Sequence, residues 1–197
     1  MNLSEVCIFL DEYLQIRDYQ DTSNNGLQVE GRRDVKKIAF AVDACMESFR
    51  GASKINADML IVHHGLIWGG ISYIRGIVKK RIEFLLKKGI SLYAAHLPLN
   101  AHRGIGNNAI ILKKIGADPE IEFGEYRGVK IGYMAKIEGK NIKEIADAFN
   151  SATLLYPPTE QLLFSDLIPG YLTLQEILPD PRLSLPLSEA FHHHQHF

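Results

Sequence analysis

The sequence predicts an α/β fold: a parallel-sheet lobe with flanking helices. Three observations carry that expectation. Short apolar runs recur in "KKIAFAVD", "DMLIV" and "SLYAA". Segments with helical spacing separate them, the alternation expected of strand–helix–strand units. Each run also stops at a polar residue: Asp43, then His63 with His64, then His96. In such a sheet the polar residues collect beyond the carboxyl ends of the strands, where ligands bind.

In chain order, Ser4 is placed to cap a first helix with Val6, Leu10, Tyr13 and Leu14 on one face. "DYQDTSNNGLQVEG" breaks the periodicity at Asn24, Asn25 and Gly26 and reads as a loop. A strand from Ile38 to Val42 follows, then a helix in "ACMESFRGASKIN" and the strand "DMLIV". Beyond a glycine-rich loop, "IVKKRIEFLLKKG" has helical spacing at Ile82, Leu85 and Leu86 and stops at Gly89. "SLYAA" is the third strand, and "GNNAIILKKIG" a helix stopped at Gly116. The pattern then changes. Val129, Ile131, Tyr133, Ala135 and Ile137 alternate as in a half-buried strand, entered through Arg127 and Gly128. "NIKEIADAFN" carries a capping box, Asn141 with Glu144, and an apolar face of Ile142, Ile145, Ala146 and Phe149. From about Ser151 six prolines lie among leucines, and the chain ends "SEAFHHHQHF", read as a purification-tag-like or disordered metal-chelating tail rather than a site. The expected organisation is a metal-binding lobe over residues 1–125 and a partial second lobe with an atypical tail over 126–197.

Composition narrows the function. The chain has 197 residues, 46% of them hydrophobic, enough for a real core. Lys and Arg number 22 against 23 Asp and Glu, so no global charge favours nucleic acid or membrane. Cys7 and Cys45 form no CxxC pair, and a reducing interior is expected. No apolar run reaches roughly 18 residues. The acidic, amphipathic start "MNLSEVCIFLDEYL" lacks the basic region of a secretory leader. The expected location is the cytoplasm, without membrane attachment.

His63, His64 and His96 are the candidate chemistry. Neutral imidazole is a common ligand for zinc and similar ions. A single strand-end histidine is more often a hydrogen-bonded surface residue. Two neighbours beside a third bring the ligand and surface readings level. Consecutive strand residues point to opposite faces, so the pair could serve two metals, or one metal and one substrate. Asp43 is favoured as the cap of the next helix, and Trp68 as a packing residue. The basic stretches "GRRDVKK" and "IVKKRI" read as solvated faces.

Taken together, "NNGLQVEG", "AVDACMES", "DMLIVHHGLIWG" and "LYAAHLPLNAHRGIGNNAIILKKIG" resemble the YbgI-like dinuclear-metal family, the GTP cyclohydrolase I type 2 homologs, and its archaeal members most. The resemblance runs from Leu3 to Asn150. It implies two related α/β lobes, of which the second is partial or altered here. It also implies toroidal homohexamers with inward-facing metal sites. The implied metal ligands are His63, His64 and Asn100, for divalent zinc, iron or manganese, one or two ions per chain. His96 lies behind them as a catalytic proton relay. The family carries aspartate at the position of Asn100, and an amide is the weaker donor for a hard or borderline cation. The family's closing H-x-x-x-E spacing is absent after Asn150, so a truncated or altered end is expected. Glu189 or His193 replaces those ligands only if the tail folds back.

The resemblance therefore implies a metal-binding protein whose enzymatic form is a metal-dependent hydrolase of a nucleotide or pterin-like ring. The alternative is a non-enzymatic metal-binding ring acting as scaffold or regulator, which the reduced ligand set favours. A nucleic-acid-binding ring using Arg32, Arg33, Lys36 and Lys37 is the weakest reading, because the overall charge is neutral. The expected partners are copies of the chain and a small molecule of unknown identity.

Overall fold

Three parallel strands form the heart of the fold: β2 (Ile38–Asp43), β3 (Met59–His64) and β4 (Ser91–Ala94). A computed structural model describes residues 1–71 and 73–153. A fourth strand, β1 (Gly26–Val29), lies antiparallel on the outer side of β4, so the sheet order is β1-β4-β3-β2. β1 occupies part of the stretch expected to be loop. Four residues behind an Asn-Asn-Gly sequence carry too little alternation to show as a strand, and pairing with β4 creates it.

The connections are helices, as the alternation requires. They are α2 (Met46–Lys54) between β2 and β3, and α3 (Gly76–Lys88) between β3 and β4. α3 ends at Gly89, whose φ of 64° is a left-handed cap that glycine adopts without penalty. The two faces of the sheet bury alternate residues. Leu60, Val62, Leu92 and Ala94 face one way and pack with Phe49, Ala52 and Leu85 of α2 and α3. Met59 and Tyr93 face the other way and pack with Leu3, Val6 and Leu14 of α1 (Leu3–Tyr13) and its end. Helices thus cover both faces, the usual arrangement for parallel strands.

The structure corrects two local expectations. Asn2, not Ser4, caps α1: its side chain accepts from the Ser4 amide at 3.0 Å, and its own amide donates to Glu5 Oε2. Tyr13 does not enter the core. It is 44% exposed and stacks between Phe9 and His102.

After β4 come α4 (Leu97–Ala101) and α5 (Asn107–Lys114), then the hairpin β5 (Ile121–Tyr126) and β6 (Val129–Met134), which pair antiparallel. Arg127 and Gly128 both have positive φ, 50° and 86°, which matches the right-handed twist of a two-residue hairpin. β6 keeps part of the expected alternation, with Tyr133 buried and Lys130 and Met134 exposed, but it ends at Met134, so Ala135 and Ile137 lie beyond the strand. α6 (Ile142–Thr153) opens with the expected Asn141–Glu144 capping box and lies against α5. On its expected apolar face Ile145 and Phe149 are half-buried, whereas Ile142 and Ala146 are exposed. No helix among the described residues is long and apolar enough to cross a membrane. The Pro/Leu-rich tail, with Glu189 and His193, lies outside the described residues.

Candidate metal centre

β3 outruns β4. The last paired residues are Val62 and Ala94, so His63 and His64 project beyond the end of β4, while Asp43 remains opposite His64 on β2. This overhang lets side chains that would oppose each other within the sheet share one site. Past the end of β4 the two rings turn toward each other, with centroids 4.6 Å apart. His96 stands at the N-terminus of α4, and its ring centroid is 5.0 Å from that of His63 and 5.7 Å from that of His64. One nitrogen from each ring falls within 4.8 Å of the others, a group able to hold a metal ion.

Each imidazole is held by its Nδ1. That of His63 lies 3.0 Å from the carbonyl oxygen of Ala95, which can only accept. That of His64 lies 2.7 Å from Asp43 Oδ1, and that of His96 lies 3.1 and 3.0 Å from the two oxygens of Asp21. These partners place the proton on Nδ1 and leave Nε2 with a free lone pair, as in histidines that ligate metals. His63 Nε2 is buried and has no hydrogen-bond partner in the protein. Such an orphaned polar atom calls for a reason, and a cation shared with His64 and His96 supplies one. Burial, reinforced by the neighbouring His64, pushes the His63 pKa down to about 4. Its ring is therefore neutral and ready to ligate at physiological pH.

Asp43 does not serve as the helix cap that its position suggests. The structure pairs it with His64, and Cys45 caps α2, its Sγ accepting from the Ser48 amide at 3.5 Å. The register explains the difference, since Asp43 and His64 are direct cross-strand neighbours. Asp21 carries no sequence signal beyond being an acid in a polar loop. Its side chain is only 2% exposed. It receives hydrogen bonds from His96 Nδ1, the Leu97 amide, the Ser23 amide and Asn25 Nδ2. Burial alone would raise its pKa, but these four donors hold the carboxyl well below the usual range. Asn25 Oδ1 in turn accepts from the His96 amide at 2.7 Å.

His96 thus stands in one group with His63 and His64. Asn100 lies one helical turn further along α4, buried, with its Oδ1 accepting from Asn107 Nδ2 at 2.9 Å. Trp68, expected to be a packing residue, is 41% exposed and edge-on to His96 at 5.0 Å. Its Nε1 donates to the Gly65 carbonyl, which fixes the ring beside the histidines.

Comparisons with known proteins point to one family. The family model described as Duf34/NIF3 (NGG1p interacting factor 3) matches residues 1–161. An Archaeoglobus fulgidus protein named "GTP cyclohydrolase 1 type 2 homolog" is 68% identical over 156 residues, covering 79% of this chain. The chain spans 64% of that relative's length. Among solved structures, TTHA1606 from Thermus thermophilus superposes with a TM-score of 0.59 at 48% identity, over 66% of this chain and 53% of that one. A protein called ybgI, titled as of unknown function, has a TM-score of 0.59 at 39% identity, over 62% and 50%. A parallel sheet whose strand ends gather three histidines, and a family match over most of the length, lead to one assignment: the chain belongs to the DUF34/NIF3 family.

Proposed function

We propose that His63, His64 and His96 bind a divalent cation (zinc, iron or manganese) and that the protein is a metal-dependent hydrolase acting on a nucleotide or related ring. The observation that carries this reading is the buried, unpartnered Nε2 of His63 beside two histidines whose Nδ1 atoms are already engaged. A divalent ion held there supplies Lewis-acid polarisation of a substrate oxygen and of water. The chain's own groups do the rest. Ala95, Asp43 and Asp21 fix each ring and its tautomer, and the two carboxylates offset cationic charge that neutral imidazoles leave uncompensated. Trp68 walls one side. Asn100 as a further oxygen ligand and a ring-shaped homohexamer belong to the same proposal. A non-enzymatic, metal-binding scaffold is the second reading, favoured by the uncharged Asn100 and its engagement with Asn107.

The test combines elemental analysis of the purified protein, its native mass and turnover of nucleotides or pterins. Metal at stoichiometric level with turnover supports the hydrolase, and metal in an intact ring without turnover supports the scaffold. Trp68 is the single tryptophan and lies 5.0 Å from His96. Cobalt entering the site is therefore expected to quench the emission. By calorimetry with zinc, His63→Ala should lower affinity and occupancy far more than Trp68→Ala, because only histidine gives a donor atom. Equal affinities in the two variants would refute the ligand assignment.

Asn100→Asp provides a second check. If position 100 faces the ion, a carboxylate should tighten metal binding and raise the stoichiometry, since it can bridge two cations where an amide does so poorly. If Asn100 only ties α4 to α5, zinc affinity stays unchanged and any shift in melting is independent of metal.

A further inference from the structure

We infer that Gln28 is a positioning residue for the metal centre: its amide clasps the loop carrying Asp21 to the loop that follows His64, so that the histidines meet at a spacing one ion can share. The inference rests on the metal-binding reading above.

Gln28 lies on β1, in the stretch "NNGLQVEG" that by sequence shows nothing more than a turn. Its Oε1 accepts from the Leu66 amide at 2.7 Å and from the Ile67 amide at 3.0 Å. Its Nε2 donates to the Asn24 carbonyl at 2.7 Å and to the Ile67 carbonyl at 3.1 Å. A primary amide has two acceptor and two donor positions, and all four are used. The two amide hydrogens meet carbonyls and the oxygen meets amides, which also settles which way the group is turned.

These bonds join two loops that touch the metal centre from different directions. One runs from Asp21, which holds His96, through Asn25, which also binds the His96 amide. The other begins immediately after His64 and carries Trp68. Around the amide the loops are sewn further, by the Asn24 amide to the Ile67 carbonyl at 3.1 Å and the Gly69 amide to the Thr22 carbonyl at 2.7 Å. Gly65 makes room for the clasp. A Cβ there would collide with Gln28 Nε2 and sit 2.7 Å from the Ala94 Cβ. The glycine after the paired histidines is thus explained by the incoming amide and by Ala94 of β4, not by a need for unusual backbone angles.

If Gln28 served stability alone, its loss would lower the melting temperature and leave the ion's surroundings as they were. If it positions the site, its loss changes affinity and coordination together. The full chain carrying Gln28→Met, which keeps the side-chain length and removes all four bonds, should bind zinc at least tenfold more weakly in competition with a chromophoric chelator. Its cobalt complex should differ from that of the unaltered chain in the visible band and in the quenching of Trp68. Gly65→Ala, which displaces the amide without deleting it, should shift the same band and supplies the test if Gln28→Met does not fold. Zinc affinities within twofold of the unaltered chain, with an identical cobalt spectrum, would overturn the role of Gln28 and leave the metal centre standing. Failure of the unaltered chain to bind either metal would overturn both.

Discussion

Asp21→Asn is expected to weaken zinc binding by about 10–100-fold, the cost typical of losing the carboxylate behind a metal-bound histidine. The substitution is nearly isosteric, so the effect arises from proton logic. All four groups around Asp21 are donors: His96 Nδ1, Asn25 Nδ2 and the amides of Ser23 and Leu97. An asparagine offers one acceptor oxygen and turns an NH2 group toward N–H bonds. Either donors stay unsatisfied in a buried place or His96 gives up its Nδ1 proton and presents the wrong nitrogen to the ion. Each unsatisfied buried group costs about 1–3 kcal/mol, so the metal-free protein should also unfold at lower urea. Asp43→Asn makes the control. Asp43 also holds a histidine, but its side chain is 48% exposed, and water can replace what is lost. Chelator competition and urea titration of both variants check the claim, and equal losses would show that burial of Asp21 contributes nothing.

Acid should destabilise the metal-free protein before the ordinary carboxylates titrate. His63 has its pKa pushed from 6.5 to about 4 in the folded state, chiefly by burial. Between those values the unfolded chain takes up a proton that the folded chain refuses, so stability falls as pH falls across that window. It is fully present above about 6.5 and levels off below about 4. With about 1.36 kcal/mol for each pH unit between the two values, the loss amounts to about 3 kcal/mol. Asp21 acts in the same direction but further down, because its carboxyl is held below the usual range and its contribution is lost only as it protonates. Urea unfolding in a chelator at a series of pH values should show the first slope, and His63→Gln should flatten it. A profile that is level from pH 7 to 4.5 would mean that water reaches His63 freely.

The parallel strands and the histidines at their ends are legible because local patterns encode them: apolar runs, helical spacing and glycine stops. What the pattern does not show depends on partners far along the chain. Asp21 looks like any loop aspartate until its bond to His96, 75 residues away, is known. β1 is a strand because β4 offers it an edge, and a four-residue segment cannot announce that alone. β5 is hidden because Gly124 and Glu125 interrupt its alternation. Asp43 misleads for the opposite reason. An acid just before a helix is a common cap, and only the register with β3 reveals the stronger bond to His64.

The antiparallel placement of β1 has a kinetic meaning. β2, β3 and β4 can assemble through their intervening helices and bring His63, His64 and His96 to one edge. The loop of Asp21, whose bonds orient His96, leads directly into β1, which pairs with β4. β1 is a short edge strand whose register shifts between Leu27 and Val29, so its pairing is where local opening should begin. An ion that binds the closed form preferentially would draw β1 shut: at a concentration about 100 times its dissociation constant the gain would be about 2.7 kcal/mol. The ion would then govern how often the chain opens at this edge, and amide exchange along Gly26–Val29 would slow as the site fills.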